Sequence, residues 1–232
     1  MTDAYSWHTF GFARPEDCVL PFDGVALSAS TMTRRNIMKY FLGCISLLAL
    51  LGTSLNTSAE TADLPVPGDF VAGEAWSWRR VDALTKLEES RTQRAVVRSD
   101  TGLQFSSDGK TFSIAARMVD GPYEPSAQPW RNWPLSLGKR WTFESTWRRP
   151  DGVSGKTEQK AEVVAYEEVT VPAGRFMAFR IEHRGYYSNS NGRNGQQDDT
   201  YWYAPDIRAD VKHERRTGRL LWTEELMAHQ RP

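Results

Sequence analysis

The sequence predicts a mainly-β fold, an antiparallel β-sandwich or open barrel of about nine strands, preceded by a signal peptide. Three observations carry that prediction. Nine tryptophans in 232 residues, within an aromatic share of 12%, favour pleated surfaces on which flat rings pack well. Short runs alternate apolar with polar residues, the period of a half-buried strand. Residues 40–55 are apolar and uncharged, follow Arg34, Arg35 and Lys39, and lead into Thr57-Ser58-Ala59. A basic flank, an apolar stretch and a small-residue exit are the parts of a secretory signal.

At 16 residues the apolar stretch is short for a membrane span, which needs about 20, so cleavage is expected in preference to a retained anchor. Thr33-Arg34-Arg35-Asn36-Ile37-Met38-Lys39 resembles the twin-arginine export pattern. That likeness implies passage through the inner membrane in the folded state. Cys44 precedes most of the apolar stretch, which argues against lipid attachment at that position. Residues 1–31 fit no signal grammar and read as a non-functional extension or a start-site artefact, with Met32 or Met38 as initiator. The organisation is then a signal peptide at 32–59, a linker at 60–68 holding Pro65 and Pro67, and a single β domain at 69–232.

Composition excludes several function classes. Lys+Arg and Asp+Glu both number 29, so no basic excess exists to neutralise phosphates, and nucleic acid is not an expected partner. Cys18 and Cys44 both precede the mature domain, which therefore has no disulfide, thiolate metal site or cysteine nucleophile.

Along the domain, Trp76 and Trp78 alternate with polar neighbours as in a strand. Residues 81–95 have Asp82 as a helix-cap candidate and Leu84 and Leu87 as a thin apolar face, and are read as extended. Asp108-Gly109 between alternating runs is a hairpin signal. Residues 118–133, with Pro122, Pro125 and Pro129, read as a long loop. Trp141, Phe143, Ser145 and Trp147 share one face of a strand. Asp151-Gly152 turns the chain into a long strand at 157–171, and Pro172-Ala173-Gly174 turns it again. Residues 187–199, rich in Asn and Gly, read as a mobile loop. A short aromatic strand at 201–204 stops at Pro205, and a last hairpin turns at Thr217-Gly218.

Several of these segments resemble a type of uncharacterised bacterial exported β-domain. The likeness lies in Leu137-Gly138-Lys139-Arg140-Trp141, in Val171-Pro172-Ala173-Gly174-Arg175-Phe176, and in Tyr201-Trp202-Tyr203-Ala204-Pro205. It covers roughly residues 130–230 and implies a β-meander domain of the cell envelope, with no active site carried over. Asp206-Ile207-Arg208-Ala209 departs from the glycine or valine that usually follows the Ala-Pro pair.

Candidate chemistry is sparse. Glu182-His183 and His213-Glu214 could meet at a metal if their strands pair, but adjacent strand residues face opposite ways. No metal and no cofactor is expected. Serine nucleophiles lack a Gly-x-Ser-x-Gly elbow. A carboxylate pair drawn from Asp198, Asp199, Glu144 or Glu162 supports an alternative, a periplasmic hydrolase acting on glycans. The favoured reading is a non-enzymatic binding or structural module. Its candidate contact surface is formed by Trp130, Trp133, Tyr187, Tyr201, Trp202 and Tyr203, where aromatic rings would stack on a glycan or line a cleft for a lipid or an envelope protein. The mature domain is not expected to span the membrane.

Overall fold

The computed structural model describes residues 61–218 and 220–232. The signal segment, both cysteines and the paired arginines lie outside the described residues. The described residues form twelve strands: β1 (Thr61–Ala62), β2 (Ala75–Asp82), β3 (Glu88–Ser99), β4 (Gly102–Ser107), β5 (Lys110–Ser113), β6 (Leu135–Ser136), β7 (Arg140–Arg148), β8 (Ser154–Val171), β9 (Gly174–Asn189), β10 (Asn194–Ala204), β11 (Ala209–Thr217) and β12 (Leu220–Gln230). Ten of them form one antiparallel sheet in the order β5-β4-β3-β2-β12-β11-β10-β9-β8-β7, and β1 pairs with β6. The sheet is two meanders joined where the last strand pairs with β2. The mainly-β, antiparallel fold expected from the sequence is observed, with ten strands in the main sheet.

The sheet is open, since β5 pairs only with β4 and β7 only with β8. It is also strongly curled. Ten strands laid flat would span roughly 43 Å at the usual inter-strand spacing, yet Phe112 on β5 and Trp147 on β7 line the same cavity. The concave face carries the core, where Trp76, Phe105, Val163, Ile181 and Leu226 are fully buried. Period-2 alternation is clearest in the first half of β8, where Thr157, Gln159, Ala161 and Val163 are buried between exposed or half-buried neighbours. A bulge between Val163 and Ala165 resets the phase and sets Tyr166 against Phe179, ring centroids 4.7 Å apart.

The chain between the two edge strands forms a strap over the concave face. It begins with helix α1 (Ile114–Asp120), capped by Ser113 Oγ accepting from the Ala116 N–H, and it buries Ile114 and Met118. Gly121 ends the helix at φ 64°, and a Cβ there would lie 2.6 Å from the Trp130 ring. Both the dihedral and the space call for glycine. The strap is anchored by Trp133 Nε1 donating to the Met118 carbonyl at 2.8 Å and by the ion pair between Arg131 and Asp210.

Three expectations need correction. The segment 118–133 is not all loop, because the helix reaches Asp120; seven residues leave too little periodicity to read. Residues 187–199 are not a mobile loop. They close a tight hairpin between β9 and β10 in which Asn189 Oδ1 accepts from the Asn191 and Arg193 N–H groups, an Asx-type arrangement that replaces burial as the ordering force. Strand pairing also extends well before Tyr201. By contrast, the extended reading of residues 81–95 holds at both ends of the segment, in β2 and β3. Residues 83–87 form the turn between them, with Asp82 Oδ1 accepting from the Leu84 and Thr85 N–H groups. The Asp108-Gly109 turn is found with positive φ at both residues.

Close strand approach makes one substitution costly. A Cβ on Gly185 of β9 would lie 2.0 Å from the Glu158 carbonyl oxygen and 2.7 Å from the Gln159 Cα. Both obstacles are backbone, so β8 and β9 must part. Gly185→Ala is expected to destabilise the domain by about 1–3 kcal/mol. That is a melting-point drop of roughly 2–12 °C for a domain of this size, checked by thermal denaturation. An unchanged melt would show that the two strands do not approach so closely.

Candidate functional site

A cavity of about 550 Å³ lies between the strap and the sheet. Strap residues Arg117, Tyr123 and Trp130 form one wall, and side chains of β2–β5, β7 and β10–β12 form the other. Two features distinguish it: aromatic walls and inward-facing arginines. Arg80, Arg94, Arg117 and Arg215 all line it.

Each guanidinium is held against a ring. Arg80 lies 3.9 Å from the Trp222 ring centroid. Arg94 lies over Phe105 at 4.4 Å, Trp76 at 4.8 Å and Trp78 at 5.1 Å. Arg117 lies over Phe112 at 4.8 Å. Such contacts use the negative face of the ring to hold a cation with little water.

Behind this wall Asp199 on β10, 1% exposed, is paired with Arg215 of the cavity lining. Its carboxylate accepts from four side chains: His213 Nε2 at 2.8 Å and Arg215 Nε at 2.6 Å on one oxygen, Gln159 Nε2 at 2.9 Å and Gln197 Nε2 at 3.0 Å on the other. Burial pushes the Asp199 carboxyl up, but the His213 hydrogen bond and the Arg215 charge outweigh it and hold it well below the usual carboxylate range. An ionised carboxylate only accepts, so His213 presents Nε2–H to it. Burial also lowers the His213 imidazole despite the neighbouring anion, and the ring is neutral near pH 7. On the far side of Tyr201, which stacks on His213 at 4.0 Å, lies the fully buried His183. Neither of its ring nitrogens has a hydrogen-bond partner among the described residues, and burial pushes it down to about 3.

Ion pairing is uneven across the cavity. Arg215 is paired with Asp199, Arg80 with Glu224 at 3.1 Å, and Arg131 behind the wall with Asp210. Arg94 and Arg117 have no carboxylate partner among the described residues. Arg117 donates to the Gly121 carbonyl at 3.0 Å, whereas Arg94 has no hydrogen-bond partner among the described residues, with Nε and one terminal nitrogen buried and unsatisfied. Burial lowers both, Arg94 to about 10, so both remain cationic at neutral pH.

The six aromatic candidates are divided by this geometry. Trp130 and Tyr201 meet at the cavity, ring centroids 5.2 Å apart. Trp133 and Tyr203 pack on each other at 5.3 Å within the core. Trp202 points to the opposite face of its strand, where its Nε1 donates to Glu167 at 3.0 Å. Tyr187 lies toward the hairpin end, against Gly195. Sequence reasoning missed the four arginines. Their only signal is phase: Arg94 has the same parity as the buried Val96, and pairs in register with the buried Trp76.

The carboxylates proposed as an acid pair do not form one. Asp198 and Asp199 are consecutive on a strand and face opposite ways, with Asp198 bonded to Gln196 on an exposed surface. Glu144 pairs with Lys156, and Glu162 with Arg140. His183 and His213 flank Tyr201 without converging. No group of three or more His, Cys, Asp or Glu suited to a metal ion occurs among the described residues. No helix among the described residues is long and apolar enough to cross a membrane. A larger cleft of about 730 Å³ opens beside Trp147, Lys156 and Ser188, but none of its lining residues is buried.

No family profile and no curated protein matches the chain. Two solved structures are similar to it. One is a "putative lipoprotein" from Parabacteroides distasonis ATCC 8503, at 14% identity and a TM-score of 0.46, covering 69% of this chain and 96% of that one. The other is a "putative exported protein with YmcC-like fold" from Bacteroides fragilis NCTC 9343, at 13% identity and a TM-score of 0.41, covering 74% of this chain and all of that one. Likeness at this level assigns no function to the chain.

Proposed function

We propose that the chain is an exported cell-envelope protein whose β domain is a non-enzymatic binding module, with its ligand held in the cavity beneath the strap. The cavity carries the reading. Its volume of about 550 Å³ lies within the range of small-molecule sites, and its lining combines aromatic rings with charged and polar side chains. A lipid or a short glycan fits such a space, whereas a folded envelope protein does not. Export rests on the signal organisation of residues 32–59. The twin-arginine likeness adds a route in which the domain crosses the membrane folded, and so could load its ligand on either side. The resemblance to uncharacterised exported β-domains supports the same location.

One native mass spectrum tests both parts. The full chain is expressed in a Gram-negative host and recovered from the periplasm. The expected spectrum shows residues 60–232 carrying an additional small mass that dissociates at higher collision energy. An uncleaved chain retained in the cytoplasm would overturn export. A bare mature chain that takes up no added lipid or oligosaccharide would overturn the binding role.

A further inference from the structure

Resting on the binding reading above, we infer that the ligand is an amphiphile with a carboxylate or phosphate head, the head seated between Arg94 and Arg117 and the tail along the aromatic wall. Phe105 and Phe112 are direct cross-strand partners on β4 and β5. Arg94 lies over the first ring and Arg117 over the second, at 4.4 and 4.8 Å. Their rings being neighbours, the two guanidinium groups share one region of the cavity, where the charge of Arg117 acts on Arg94.

Every other inward cation has an acidic partner; these two have none among the described residues. The nearest acids do not serve. Asp210 is engaged by Arg131 and Glu224 by Arg80, while Asp108 sits on the exposed β4–β5 turn. Two like charges in a partly desolvated site repel, and each lowers its own stability there. An oxyanion between them would relieve that repulsion and take hydrogen bonds from planar guanidinium groups, the geometry that carboxylates and phosphates match best. Beyond Arg94 the rings of Trp78, Trp222, Tyr201 and Trp130 line the wall and are available to an alkyl chain or similar tail. The charged groups among them are already engaged, Arg80 with Glu224, Arg215 with Asp199 and Asp210 with Arg131. Free inorganic anions would use the head site and leave the aromatic wall empty.

The test compares four probes on the full chain, followed by calorimetry and tryptophan fluorescence: dodecanoate, dodecyl phosphate, the uncharged monoglyceride of dodecanoate, and inorganic phosphate. Both anionic amphiphiles are expected to bind at least about tenfold more tightly than the monoglyceride and than inorganic phosphate. Arg94→Gln and Arg117→Gln should each reduce that preference by about tenfold, while Arg94→Lys retains most of it. Melting curves verify that the variants are folded. Arg117, half-exposed on the strap helix, gives the reading if Arg94→Gln does not fold. Equal affinity for charged and uncharged amphiphiles, insensitive to both glutamine variants, would overturn the anionic head and leave the binding cavity standing. Inorganic phosphate binding as tightly as dodecyl phosphate would overturn the tail. No binding by any amphiphile would overturn the inference together with the reading beneath it.

Discussion

Asp199→Asn is expected to cost the domain about 3–5 kcal/mol, the usual penalty for removing one partner of a buried charge pair. The carboxylate is 1% exposed and receives four donors. Asparagine keeps the shape but brings an N–H₂ into a site already filled with donors. Whichever way the amide turns, one oxygen position becomes a donor facing donors, and Arg215 loses its counter-charge. For a domain of this length the melting point should fall by roughly 6–20 °C. A loss under about 1 kcal/mol would show that the cluster is solvated. Because the penalty arises from the stranded arginine, Asp199→Asn combined with Arg215→Met should cost less than Asp199→Asn alone. The ionised carboxylate also sets an acid limit. Its folded-state value lies below that of the unfolded chain, so its contribution is complete above about pH 4 and is lost below it, at about 1.4 kcal/mol per pH unit.

What the sequence made legible, and what it did not, divides along a physical line. Turns whose residues must adopt positive φ announce themselves, as Asp108-Gly109 does. So do strands with one apolar face, as in the run from Trp141 to Trp147. The β9–β10 hairpin does not, because its outer half buries little and is ordered by Asn189 side-chain bonds. The site is less legible still. An arginine facing inward over a ring occupies the same alternating position as one facing water, so Arg94 in β3 looks like any exposed strand cation. Asp199 draws its partners from β8, from its own strand and from β11, and such distant pairings leave no local spacing to read. The aromatics were easier to notice than to place. Tyr201 and Trp202 are neighbours in sequence, yet only Tyr201 reaches the cavity.

Acid should destabilise this domain from about pH 6.5 downward, because His183 is buried in its neutral form. The imidazole is fully buried, touches the rings of Trp141, Phe143 and Tyr201 at 5.3–5.7 Å, and has no hydrogen-bond partner at either nitrogen among the described residues. Its folded value of about 3 lies below the ordinary value near 6.5 that it regains on unfolding. Below pH 6.5 the unfolded chain therefore binds a proton that the native state refuses. Stability is fully present above that pH and falls at about 1.4 kcal/mol per unit, to a total of about 5 kcal/mol near pH 3. The neighbouring groups do not reverse the sign. Asp199 favours the protonated ring but is outweighed by burial, with Arg131, His213 and Arg215 opposing protonation as well. His213 shifts in the same direction and adds its own share, so the slope reports one to two protons. Replacing His183 with leucine, which is similar in volume and carries no polar atoms, should remove one proton from that count. It should also hold or raise stability at pH 7, since two unsatisfied buried nitrogens disappear. Urea unfolding at half-unit steps from pH 7.5 to 4.5 measures the slope directly. Parallel curves for the native protein and His183→Leu would mean that His183 is hydrated or hydrogen-bonded in solution. A difference of one proton would mean that a single dry histidine makes the core beside the binding cavity acid-labile, under conditions where Asp199 and the arginines keep their charges.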